Sequence, residues 1–462
     1  KYLRVSSLND SEIVAANATA SINTTAGKAS TGVAGSFMYN SITSGNNAYV
    51  NDSNITVSGN DEENVDEALT ISAQNLEKII NVSLSGNVAP KGNGVVGQIS
   101  VNSIANTTNA YLHNSNVLAN EKITVRVNDE ADIQSYTGAM SVTGGAVGFG
   151  AAIGVQDIDT NTTAYITDTQ LVGSAVDTKG GNVDVLADEN SNITSIVATA
   201  GIGINTAMAA TFSVSANDVD TVTKAYIDND ENIKAAAINV AARNLANSTI
   251  GVGNIGVSKN AVGITSAIGL SNNLVEAYIK GDDNGDNVEN TIEANSIIVN
   301  ASNVYNGAAN NSDEDTTAKT VAIGGAVGTG MVAGAGSVTV NEIINTTTAH
   351  IDKGKYAVDG NIDVNAQSTA KIFGLAGGVS IAKGVGIGAA VDTELLNITT
   401  TAYIDDNVSI TKAKDITVNA NSIEEITSVA VIAGGGSYFA GAASANAHDI
   451  DDDVYIWNIT KT

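Results

Sequence analysis

Strict alternation of apolar and polar residues, the mark of a strand with one buried face, returns again and again along this chain. The clearest copy is Ile416-Thr-Val-Asn-Ala420. Matching phrases stand at Leu69–Ala73, Ile123–Val127, Val183–Ala187, Ile238–Ala242, Ile297–Ala301 and Ile362–Ala366. A second phrase joins a polar lead-in to Ala-Tyr-Ile or a close variant. It occurs at Asn47–Val50, Asn109–Leu112, Thr163–Ile166, Lys224–Ile227, Glu276–Ile279 and Thr401–Ile404, with Ala-His-Ile at Ala349–Ile351 and a worn Asp-Val-Tyr-Ile at Asp453–Ile456. A third phrase is a pair of Gly-rich apolar runs, as in Met140–Val155, Ile196–Val214, Val321–Val340 and Ile372–Val391. No stretch carries a helical period, and the β-branched content of all three phrases predicts strands.

The phrases recur in a fixed order. From Ala48 through Ala110, Ala164, Ala225, Ala277, Ala349 and Ala402 to Val454, the steps are 62, 54, 61, 52, 72, 53 and 52 residues. Periods of this size mark repeat architectures, in which each unit buries its core only by stacking on its neighbours. The sequence therefore predicts an all-β chain folded as a parallel β-helix, or β-solenoid, forming one continuous array over residues 1–462. About eight units start near residues 1, 43, 105, 159, 220, 272, 344 and 397. Equivalent strands stack about 4.8 Å apart, and the tyrosines form a spaced aromatic ladder on one face. The distance from each Tyr or His to the next strand alternates between short and long, so one loop grows while the strands do not. Two of these insertions, Asp61–Glu67 and Asp282–Glu289, are acidic and belong outside the core. The reading adopted is two coils per unit, the second made by the Gly-rich pair. Turn-like Lys91-Gly92, Lys259-Asn260 and Lys383-Gly384 leave open an antiparallel hairpin instead.

Composition narrows the function. Ordinary domain-length arithmetic for 462 residues gives way to the repeat, and the 46 glycines with 4% aromatics suit a narrow core of small side chains. The formal charge is −28, from 49 acidic and 21 basic residues, so nucleic acid is excluded as a partner. Cysteine is absent, which removes disulfides and thiol chemistry. The chain opens Lys-Tyr-Leu-Arg without an initiator Met and reads as a fragment of something longer. The uncharged run Val321–Val338 is too rich in Gly and Ala for a spanning helix, and its siblings contain Lys259 and Lys383, so no membrane span is expected.

The Asn/Thr-rich Ala-Tyr-Ile strands, the Ile-x-Val-x-Ala strands and the Gly-Val-Gly-x-Gly-Ala-Ala run at Gly384–Ala390 together resemble the repeat region of large bacterial exoproteins. These are of the filamentous-haemagglutinin type, and specifically the fusobacterial leukotoxin-like and adhesin-like members. The resemblance covers nearly the whole chain and rests on repeat texture. It implies a right-handed parallel β-helix, export by two-partner secretion through an outer-membrane pore, and display or release at the bacterial surface. The family's secretion domain carries Asn-Pro motifs, and this chain has no Asn-Pro.

Candidate chemistry is sparse. The three histidines, His113, His350 and His448, occupy different repeat contexts, and no nucleophile-elbow, Walker or metalloprotease pattern occurs. Asp282, Asn284 and Asp286, with Glu293 at the twelfth position, make most of a calcium loop, but Asn287 stands where the loop needs Gly. Acidic turns of similar type are expected at Asp228–Glu231, Asp313–Asp315 and Asp449–Asp453. The many Asn-x-Ser/Thr triplets follow from composition. No catalytic residue and no cofactor is expected, calcium being the one candidate. The sequence thus points to a non-enzymatic adhesive shaft that attaches to host or bacterial cells and associates end to end into fibres. The alternatives are a secreted leukotoxin-like toxin and, more weakly, a carbohydrate-active β-helix enzyme.

Overall fold

The computed structural model describes the chain apart from residues 1, 25–29, 58–66, 173–178, 205–206, 231, 282–290, 304–315 and 457–462. Its regular elements are strands, and every pairing between them is parallel. Three sheets run along the molecule, and the chain visits them in turn in each repeat; one repeat enters the first sheet as two strands, Ser296–Asn303 and Thr316–Gly328, and the third sheet has seven strands among the described residues. In one coil, Glu67–Ala89 enters the first sheet, Asn93–His113 the second and Asn116–Ala119 the third. Lys122–Thr143 then opens the next coil beside Glu67–Ala89. Leu69 pairs with Ile123, Ile123 with Val183 and Val183 with Ile238, so the Ile-x-Val-x-Ala phrases stack in register.

Each unit is thus one large coil, not two. The first Gly-rich run is the far half of the same strand that begins with Ile-x-Val-x-Ala, and the second run leads unbroken into Ala-Tyr-Ile. Ile416–Gly435 and Phe439–Ile456 show this in the last coil. The reason lies in the alternation itself. Asn75, Glu77 and Asn81 look like loop residues between two apolar phrases, yet they keep the inward parity of Ile71 and Ile79 and are buried. Nor do the Gly-rich runs form a hairpin. The chain does reverse at Lys91-Gly92, Lys259-Asn260 and Lys383-Gly384, but the two arms lie in different sheets and face each other across the core.

The cross-section is a long blade with a wider head. In the head, the short third sheet closes a wedge filled by Leu69, Ile71, Ile123, Val125, Ile166, Ile227 and their equivalents. Burying one such side chain stabilises by about 1.5–3 kcal/mol, and the stack continues through all the coils. Along the blade, apolar and polar layers alternate. Beyond the head come Asn75, Glu77, Asn106 and Thr108, then an aliphatic row through Ile79, Ile104, Ile133 and Ile158, then Asn81 and Asn102. The buried amides bond along the axis, Asn40 to Asn102 at 2.8 Å and Asn102 to Gln156 at 3.2 Å. Because these rows face each other in register, a slip by one residue would strand the amides outside and bring charge inside. Toward the tip the interior narrows to Ala, Ser and Gly. At Gly94, an added Cβ would meet Asn87, Ser141 and Thr143 of the facing arm, which is why the position is bare.

Two other expectations change. Asp449–Asp453 is not a turn but part of the strand Phe439–Ile456, and Asp228 likewise lies within Met208–Asp230. In each, the apolar residues around the aspartates keep the period of two. Asp313–Asp315 lies outside the described residues. Of the acidic insertions, residues 61–66 and 282–289 lie outside the described residues.

Candidate functional site

The Ala-Tyr-Ile phrase sits where the second sheet meets the head. Its Ala points inward and is buried in every coil from Ala48 to Ala402. The Tyr points outward and stacks on its neighbours. Tyr49, Tyr111, Tyr165, Tyr226, Tyr278, His350 and Tyr403 form one column with ring centroids 4.8–5.1 Å apart and planes within 12°. Since each unit is one coil, the ladder is contiguous where a spaced one is expected. Tyr455 falls out of it: it pairs with Thr401, two residues short of Tyr403.

His350 replaces a tyrosine at a cost that its surroundings offset. Burial alone would favour the neutral ring, but Asp352 at 2.8 Å and Glu276 at 3.5 Å hold its pKa above the ordinary value. Glu276 in turn is pulled down to about 2, first by His350 and also by Lys224 at 2.8 Å. The rung is thus held between two aromatic faces and two carboxylates that favour its protonated form.

Beside the head, the outer face of the first sheet carries a polar groove of about 520 Å³. Asn300, Asn365 and Asn419 line it as one register row, with Gln367 and Asn421 on the next and Arg243 at its edge. Asp188 draws Arg126 (3.3 Å) and Arg243 (3.8 Å) toward it from two sides. A row of amides one strand apart offers alternating donors and acceptors. A second polar groove lies at the corner between the second and third sheets, along Asp52, Asn114 and Asp168. All three adopt a left-handed backbone, which Asp and Asn tolerate better than other side chains. Neither groove is visible in the sequence phrase by phrase; both arise only when residues 52–72 apart come side by side.

The remaining candidates do not converge. His113 Nδ1 contacts Thr167 Oγ1 at 2.8 Å at the end of its strand, His350 is a ladder rung, and His448 pairs in register with Glu394 in the last coil. Glu293 lies in the third sheet with Lys234 Nζ at 3.5 Å, while Asp282, Asn284 and Asp286 fall outside the described residues. Five buried carboxyls escaped sequence reading: Glu77, Asp129, Glu189, Asp392 and Glu394. Asp392 and Glu394 both face inward, and burial together with the adjacent Asp392 pushes Glu394 up to about 9. Gly374 across the core leaves them room. Their parity on a strand of strict alternation was the available signal.

Comparison with known proteins finds no matching family model, no similar curated protein and no matching solved structure.

Proposed function

We propose that this chain is a structural and adhesive shaft of a secreted or surface-displayed bacterial exoprotein, acting without catalysis. The observation that carries the reading is the uninterrupted register of eight coils. It turns single residues into continuous rows, so that any weak polar contact is offered repeatedly along one axis. The amide groove at Asn300, Asn365, Asn419 and Gln367 is the surface best suited to the hydroxyl and amide groups of a cell-surface glycan or glycoprotein. End-to-end association into fibres, by the same parallel strand pairing that joins the coils, is the second part of the reading.

The test is binding of the purified chain to host epithelial cells and to a glycan array. An Asn365→Ala, Asn419→Ala, Gln367→Ala variant should lose most of the bound signal while keeping its strand spectrum. If the parent chain binds neither cells nor glycans, or the variant binds as well as the parent, the adhesive reading fails. A parent that kills leukocytes at concentrations where it binds would favour the toxin alternative.

A further inference from the structure

The blade is built inside out at its far edge. On the first sheet, the four outward rows nearest the tip run through Val82, Leu84, Gly86 and Val88 and continue in register across all eight coils. Every position in these rows is Ala, Gly, Val, Leu, Ile, Met or Tyr136. The opposite face matches. Its four rows, which begin in the first coil at Val33, Gly35, Phe37 and Tyr39, are interrupted by only Ser266 and Thr393 and contain no charge. Leu84, Met140, Ile196, Ile323, Phe149 and Ile387 among them are exposed. Behind these apolar faces the interior is mixed and mostly small: Asn81, Ser83, Asn87, Gln98 and Ser141 lie buried between the arms, alongside Val96, Val197, Val252 and a cluster of alanines.

Charge stops at the border of this belt. On the first sheet it resumes with Lys319 in the adjoining row, then with Lys78 and Asp132, which pair at 3.3 Å, and on the second with Asp157 and Asp218. The sequences joining first-sheet to second-sheet strands contain no Asp or Glu, in a chain with 49 of them, but they do carry Lys91, Lys259 and Lys383. Four rows two residues apart span about 20 Å from the first to the last, enough to enter a bilayer's hydrocarbon core of roughly 30 Å. Eight coils make each face roughly 700 Å², whereas the largest apolar patch on an ordinary monomer is about 300–600 Å².

We infer that this edge of the blade enters a lipid bilayer bearing anionic headgroups. An apolar outer face with backbone bonds satisfied between strands is what a lipid-facing β-structure requires. The belt clothes both faces of one edge, which lipid covers at once; a second copy docked face to face would cover one and leave the other in water. The lysines at the tip complement anionic headgroups, and the acidic rows stay outside the hydrocarbon. This departs from the expectation that nothing here crosses a membrane, which weighed only helices. Among the described residues no helix is long and apolar enough to do so, but these are strands.

The test is flotation of the chain with phosphatidylcholine vesicles, with and without phosphatidylglycerol. The parent should float, and more of it with phosphatidylglycerol. Ile196→Glu with Ile323→Glu should cut the floated fraction at least about tenfold, with the far-UV strand spectrum retained. Lys91→Gln, Lys259→Gln and Lys383→Gln together should abolish only the gain from phosphatidylglycerol. In an Ile196→Trp variant, brominated acyl chains should quench the fluorescence of the bound protein. That readout decides the matter if the glutamate variant misfolds. No flotation, or an unquenched signal from the introduced tryptophan in bound protein, overturns the inference. So does a parent that self-associates without lipid, fails to float, and becomes monomeric with the glutamates, since the belt then serves a second copy.

Discussion

Removing one rung of the aromatic ladder tests whether stacking between coils carries stability. Tyr165 lies between Tyr111 at 4.8 Å and Tyr226 at 5.1 Å, whereas Tyr49 stacks on Tyr111 alone, at 5.0 Å. An aromatic pair contributes about 0.5–1.5 kcal/mol beyond the area it buries. Tyr165→Ala should therefore lose two such terms, about 1–3 kcal/mol, and Tyr49→Ala about half as much. The sharper form is a double-mutant cycle. Tyr111→Ala with Tyr165→Ala should show a coupling of about 0.5–1.5 kcal/mol. Tyr49→Ala with Tyr165→Ala, two coils apart, should add within about 0.3–0.5 kcal/mol. Because a stacked array opens locally, the readout is native-state amide exchange across the strand Val147–Thr167, not a global melt. Equal losses at Tyr49 and Tyr165, or no coupling between adjacent rungs, would show that the ladder is a by-product of spacing and contributes nothing.

Three further outcomes follow from the interior. Asp129 and Glu189 pair in register in the buried polar layer, and both pKa values are raised, chiefly by burial. Asp218, on the outer face, is pushed up to about 6 by burial and by Asp220 and Asp157. In each case the fold favours the protonated form, so the stability these groups contribute is greatest below the ordinary carboxylate range and is lost as pH rises, through about 6 for Asp129 and Asp218. The thermal midpoint should be higher at pH 5 than at pH 8, and Asp129→Asn with Glu189→Gln should remove much of that difference; a flat profile in the parent contradicts this. Ile227→Ala, in the head, should cost about 2–5 kcal/mol, while Ile323→Ala on the outer belt should change stability in lipid-free buffer by no more than about 0.5 kcal/mol. Gly374→Ala drives a methyl into the Asp392 and Glu394 carboxyls and should open the last coils to amide exchange; unchanged protection there would be evidence that the two carboxyls do not face it.

Much of this fold is legible in the residues. Period-two alternation identified the strands, and the recurrence of Ala-Tyr-Ile in a fixed order of phrases identified the stacking partners, which the register then joined pair by pair. What misled was polarity. Asn75, Glu77 and Asn102 have the composition of loops and the parity of a core, and partners in neighbouring coils and on the facing arm, such as Gln156 for Asn102 and Asn106 for Glu77, make them tolerable inside. A reader of one repeat sees no partner for Asn102, because Gln156 is 54 residues away. The same blindness hid the amide groove and the apolar belt. Val82, Tyr136 and Ile196 are unremarkable one at a time and become a surface only when the coils align them.

The central claim is that each repeat is one coil, and a single distance decides it. Asn109, Thr163, Lys224, Glu276, Thr348 and Thr401 form one outward row, each paired with the next. The chain has no cysteine, so Asn109→Cys with Thr401→Cys can carry a pair of spin labels without background. Five steps of about 4.8 Å place the labelled backbones about 24 Å apart. A pulsed-resonance distance near that value supports one coil per repeat, whereas one near about 48 Å would mean two coils per repeat and would contradict the fold described.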